Sequence, residues 1–335
     1  MKISSIISLK VILVLLLSTT ILKSSTSNSP NNSDRGSIYN PELISDSTEY
    51  SNKEEIQMSS NLRMNNTGAL LWKATAETGN LSEWSPDGGN YLMNASRVLS
   101  SNASREKAKT GSFSYKLTID AGNDLASTQF HRFSQPNSNK DAIYTAWYFI
   151  PQKVDYYGIA WHVMMQWKIR VTNSSSHPVF GLGLGVLGGK GSGGDNFVEL
   201  RNTGEWFPGG SSFNYVPLSR LPIPIGKWFK IEARYIHGSS GNGRVMVWQG
   251  DLEGNDTLIY DINGVTTYPL KDRDGLATTQ LSWAVCNYAA RTLPAVTTIY
   301  IDDASIHLPA TTTTPIINIE ANPIEGGKVR IVGNE

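Results

Sequence analysis

Between residues 68 and 307 the chain is cut into short runs of β-type sequence, and nothing there keeps an apolar period of 3.6 residues over successive turns. The clearest runs are 112–119, 127–133, 142–150, 160–171, 179–186, 227–237, 244–249, 280–288 and 297–307. Turn signals such as Gly241-Asn242-Gly243, Asn263-Gly264 and Asp274-Gly275 fall between them. Many short strands without alternating helices predict an all-β sandwich or barrel. The glycine-rich stretch 181–194 reads as a strand leading into a mobile loop. It lacks the strand–GxGxxG–helix context of a nucleotide site.

The flanks read differently. Lys2, Lys10, the apolar run from Val11 to Leu17 and a Ser/Thr-rich end predict an export signal over residues 1–25. That run is short for a spanning helix and no second one follows, so no membrane span is expected after cleavage. Residues 26–66 are rich in Ser, Asn and Glu and read as a disordered linker. The folded domain is expected over 67–308. Residues 309–335 hold the linker Pro309-Ala310-Thr311-Thr312-Thr313-Thr314-Pro315 and a short β tail that would add one hairpin or begin a small β repeat.

Composition narrows the partners. The 29 basic residues are matched by 29 acidic ones, and this balance argues against a nucleic-acid binder, which needs a basic surface, while leaving room for local basic patches. The lone Cys286 allows no internal disulfide, and a chain this long can build its core without one. Asn31, Asn65, Asn80, Asn94, Asn102, Asn173 and Asn255 each open an N-x-Ser/Thr sequon, as in an exported glycoprotein. A secreted or cell-surface monomer is expected.

One run is chemically two-sided. At a period of two, Ala160-Trp161-His162-Val163-Met164-Met165-Gln166-Trp167-Lys168-Ile169 puts His162, Met164, Gln166 and Lys168 on one face. Trp161, Val163, Met165 and Trp167 fall on the other. The second set should pack into the core, which leaves a His, a Gln and a Lys to line a groove.

Several stretches together carry a family resemblance. They are residues 71–84, which begin Leu71-Trp72-Lys73-Ala74, then Tyr144-Thr145-Ala146-Trp147-Tyr148-Phe149-Ile150-Pro151, and Gln166-Trp167-Lys168. Residues 226–235, around Trp228-Phe229-Lys230, and 298–306, around Ile301-Asp302-Asp303, complete the set. The pattern resembles the heparin lyase, glucuronan lyase and alginate lyase group. The resemblance implies a concanavalin A-like β-jelly roll of two antiparallel sheets with a concave groove, and a partner that is an extracellular polysaccharide. It implies β-elimination on a uronate-containing chain without a diffusible cofactor. That reaction needs a neutraliser for the substrate carboxylate, a base for the proton beside it, and an acid for the leaving oxygen.

On this resemblance Gln166 would hold the carboxylate, and His162 would be base or neutraliser. Tyr288 would act as acid or base, with Asn287 turned to the opposite face. Arg132 would be the groove cation, with His131 as its rival because neighbours on a strand cannot share a face. Lys168 and Arg234 are further substrate-binding cations, although Lys230, Glu232 and Arg234 also read as a solvated outer face. Glu77 and Asp303, with Asp302 as alternative, would hold a structural calcium. The second reading is a non-catalytic carbohydrate-binding or adhesion module that stacks sugars on tryptophans. Trp206 is the main candidate, with Trp161, Trp167, Trp248 and Trp283 beside it. A glycosidase of this fold would show Glu-x-Asp-x-x-Glu, and the chain has no such run, nor HExxH or GxSxG.

Overall fold

The computed structural model describes residues 67–85, 87–133, 140–171, 176–203, 212–267, 278–310, 319–321 and 329–331. Its strands in chain order begin with β1 (Thr67–Ala74), β2 (Gly88–Met93), β3 (Val98–Ser104), β4 (Ser114–Asp120), β5 (Leu125–Arg132) and β6 (Asp141–Phe149). Then come β7 (Asp155–Val171), β8 (Ser176–Val186), β9 (Asn196–Thr203), β10 (Ser212–Asn214), β11 (Trp228–Ile236) and β12 (Gly243–Gly250). The last are β13 (Asp256–Gly264), β14 (Thr278–Leu293), β15 (Val296–Pro309), β16 (Ile319–Ala321) and β17 (Val329–Ile331).

Two antiparallel sheets make a jelly-roll sandwich. One has eight strands in the order β13-β12-β11-β6-β15-β4-β3, with β1 also paired to β15. The other has seven, in the order β10-β9-β8-β7-β14-β5-β2. Strand β11 shows how the sequence dictates this layering. Phe229, Ile231, Ala233 and Tyr235 are all fully buried between the sheets. Lys230, Glu232 and Arg234 alternate with them on the outer face and meet Asp256, Thr145 and Asp141. Aromatic rings fill the middle: Trp167 stacks on Tyr235 at 4.7 Å and Tyr144 meets Trp283 at 5.4 Å. The Tyr148 and Tyr260 hydroxyls, from the eight-stranded sheet, donate to the carbonyls of Met164 and Val198 in the other. These bonds satisfy polar groups that the layering buries.

The seven-stranded sheet has one irregularity that decides the site. Val285 of β14 faces Met165 of β7, but Tyr288 faces Val163. Three steps on β14 match two on β7, so a bulge lies between them. Both Met164 and Met165 are buried in the core cluster, and the face of β7 switches there.

The runs read from sequence all correspond to strands. Strands β2, β3, β9 and β13 lay outside the clear runs, and the turn signal Asn263-Gly264 is the end of β13. Strands β16 and β17 pair as a tail hairpin. The export signal, the linker over 26–66, Asp274-Gly275 and Trp206 lie outside the described residues.

Candidate functional site

Strand β8 carries Gly181 and Gly183 at alternate positions on the outward side of the seven-stranded sheet. In register, Gln166 of β7 faces Gly181, and Gly181 faces Arg201 of β9. The glycines leave a row without side chains, so Gln166 and Arg201 look at each other across a bare floor. A Cβ on Gly183 would also run into the carbonyl oxygen of His162, so the strands approach more closely than a larger residue allows. The resulting pocket has a volume of about 220 Å³. Trp161, Val163, Gln166 and Tyr288 form one wall, with Glu199, Arg201 and Thr203 opposite.

Beside this floor lies a buried polar cluster centred on Gln129 of β5. Its side-chain oxygen accepts from Gln166 Nε2 at 2.6 Å and from Lys168 Nζ at 3.1 Å. His131 Nε2 lies 3.0 Å from the same oxygen. An amide oxygen only accepts, so His131 donates from Nε2 and keeps a bare lone pair on Nδ1. That Nδ1 is buried and has no hydrogen-bond partner among the described residues. Burial, with Lys168 adding to it, pushes the His131 pKa down to about 3, so the ring stays neutral.

Lys168 is the unusual member. It is 7% exposed, and among the described residues no carboxylate pairs with it. Burial lowers its pKa from the ordinary lysine value. Its Nζ lies 5.7 Å from the centre of the Tyr288 ring. Tyr288 packs edge-on against Trp161 at 4.3 Å, and burial raises its pKa to about 12, with Cys286 and Tyr91 adding to the shift. The resting phenol therefore carries its proton at neutral pH.

The bulge corrects the expectation that His162 and Gln166 share a face. The imidazole of His162 turns inward, with Nε2 3.1 Å from Asn287 Oδ1. Asn287 in turn donates to the carbonyls of Leu117 and Thr297 in the opposite sheet. His162 is therefore part of the bond between the layers, and burial lowers its pKa to about 4. Asn287 does point away from Tyr288, as strand alternation requires.

Arg132 is also corrected. It sits over the ring of Trp72 at 4.9 Å and donates to the Trp84 carbonyl at 3.2 Å, on the inner side of β5. His131, its neighbour, takes the groove side. Arg234 lies on the outer face of the other sheet, in a two-pronged pair with Asp141 at 3.0 and 2.8 Å. Trp167 and Trp283 are fully buried and Trp248 is 8% exposed, which removes them as sugar platforms and leaves Trp161 half-exposed in the groove.

The acidic candidates do not fit a calcium site. Glu77 accepts the backbone N–H groups of Ser112 and Phe113, both at 2.9 Å. Asp302 accepts those of Lys109 and Thr110, while Asp303 pairs with Lys109 Nζ at 2.9 Å. Each carboxylate is thus turned to a donor hydrogen of the 109–113 loop, where a cation would meet positive charge. No group of three metal-ligating side chains occurs among the described residues.

Gln129, Glu199 and Arg201 were not singled out from sequence. Gln129 was visible as the partner of His131 at a spacing of two. Glu199 and Arg201 alternate with the buried Val198 and Leu200, a pattern that marks an outward pair once the strand is recognised.

Comparison with solved structures gives matches at low identity. An endo-β-1,4-glucuronan lyase from the fungus Trichoderma reesei aligns with a TM-score of 0.50 at 10% identity, over 72% of this chain and 96% of its own. An alginate lyase from Aplysia kurodai gives 0.46 at 12% identity, over 72% and 100%. An alginate lyase from a Chlorella virus gives 0.42 at 11%, again over 72% and 100%. No protein-family model and no curated protein matches the chain. The jelly roll described here is therefore the architecture on which the glucuronan lyase is built.

Proposed function

We propose that the protein is a polysaccharide lyase that cleaves a uronate-containing chain by β-elimination on the outer face of the seven-stranded sheet. The observation that carries this reading is Lys168, a buried ammonium whose acceptor among the described residues is one neutral amide oxygen. A charge taken from water without a counter-ion is costly, and a substrate carboxylate would supply the missing partner. Gln166 lines the adjoining floor and can share that carboxylate. Neutralising it makes the adjacent C–H more acidic and stabilises the enolate that forms.

In this reading Tyr288 moves the proton. Tyr288 first gives its own proton to solvent, helped by the Lys168 ammonium 5.7 Å from its ring, and the phenolate then takes the hydrogen from the carbon beside the carboxylate. The bond to the glycosidic oxygen then breaks, and Tyr288 returns that proton to the leaving oxygen. One proton is taken and one given back, and the new chain end is an unsaturated uronate. No helix among the described residues is long and apolar enough to cross a membrane, and the Lys-flanked apolar run at Val11 to Leu17 supports export to where such polymers occur.

Formation of the unsaturated uronate is followed by its ultraviolet absorbance, with alginate, glucuronan and heparin as substrates. The signal should rise with the intact protein and disappear in Tyr288→Phe. A signal that survives in Tyr288→Phe sinks the assignment of the proton-moving group. Retention on a polysaccharide gel with no signal from any chain would make the groove a binding site without turnover.

A further inference from the structure

The pocket is longer than the reaction centre needs. Strand β9 stands three strands from β14, roughly 14 Å at ~4.8 Å per strand. A sugar resting against β9 is therefore a different sugar from the one Tyr288 reaches. Glu199 dominates that far wall. It is half-buried and lines the pocket, and among the described residues nothing hydrogen-bonds or ion-pairs with its carboxylate. Burial raises its pKa, while the charges of Lys190 and Arg201 pull it back. Acceptor oxygens that are partly removed from water and have no protein donor gain most from donors on a ligand. Across the glycine floor stands the half-exposed ring of Trp161, a flat apolar surface of the kind that covers the C–H face of a pyranose.

We propose that Glu199 is a specificity residue that accepts hydrogen bonds from the hydroxyls of a flanking uronate and excludes a second anionic substituent there. The polymer taken is then an unsulfated polyuronate. Arg201, next to Glu199 on the same face, and Lys190 together outweigh the Glu199 carboxylate by one positive charge, which matches one carboxylate per sugar. A sulfate ester would instead bring a second negative charge against a carboxylate that is poorly screened. This inference rests on the reading of the groove as a uronate site.

The test is binding rather than turnover. The probes are a polyuronate, either alginate or glucuronan, and the same polymer after chemical sulfation, at about 0.15 M salt to suppress loose ionic attachment. The intact protein should bind the unsulfated chain at least about tenfold more tightly, and Glu199→Gln should shrink that ratio several-fold, because the amide keeps the size and loses the charge. An unchanged ratio in Glu199→Gln, with thermal unfolding like that of the intact protein, overturns the subsite and leaves the uronate groove standing. Failure of the intact protein to bind either polymer overturns the groove reading and the subsite together.

Discussion

Lys168 and Tyr288 show what one residue can say about function. A lysine on a strand face is usually a solvated charge, yet Lys168 is 7% exposed and leans on the oxygen of Gln129. The fold tolerates this cation at a cost, which suggests that the cation serves something other than stability. Replacing it with an apolar side chain of similar length removes the cost. Lys168→Met should raise the free energy of unfolding by about 1–2 kcal/mol, measured by denaturant titration, while polyuronate binding weakens at least tenfold. A less stable Lys168→Met would mean that the protein itself satisfies the ammonium, and the argument for a missing carboxylate would fail.

A single bulge between β7 and β14 reassigns the neighbouring side chains at the scale of the element. Sequence alone showed the alternation of Trp161 to Lys168 and identified Gln166 and Lys168 as groove residues. It did not show that β14 holds one more residue than β7 across Val163–Met165, because a bulge is set by the partner strand and leaves no mark in the run itself. That is why His162, read as a groove residue, is found between the sheets. The same limit applies to Arg132, where alternation excluded a shared face with His131 but could not say which of the two faced out. The inward placement makes His162 a structural residue. His162→Ala leaves a cavity and strips Asn287 of its shorter donor, leaving Thr297 Oγ1 at 3.4 Å, so it should lower stability by about 2–4 kcal/mol. Turnover per folded molecule, measured well below the unfolding temperature, should stay within about twofold of the intact protein. A large loss of turnover in a fully folded His162→Ala would return the imidazole to the reaction.

For the whole molecule, the sandwich was legible because its layering rests on period-two burial that recurs in strand after strand, as in Phe229 to Tyr235. The groove was less legible because it depends on which strands neighbour one another, and β9 reaches Gln166 only through the bare glycines of β8. The same layering buries titratable groups and so fixes how stability responds to pH. Burial is the first cause holding His131 at about 3 and both His162 and His237 at about 4. In the unfolded chain each titrates near 6.5. Below that pH the unfolded chain takes up protons that the folded one refuses, so stability is intact above about 6.5 and drains away as the pH falls toward 4. Asp302 works in the other direction, since burial raises its pKa to about 6 and the folded state gains a proton first. Three histidines against Asp302 and Glu199, whose pKa burial also raises, leave a net loss of about 1–3 kcal/mol per pH unit between 6 and 4, at 1.36 kcal/mol for each group. A domain with ordinary stability of about 5–15 kcal/mol cannot absorb that slope for long. Denaturant midpoints should therefore fall between pH 6 and pH 4, and His162→Asn should flatten the slope, through the loss of one of the three histidine protons. A midpoint that is level across this range would show that the imidazoles take up protons in the folded state, and with it that burial does not hold them neutral as described.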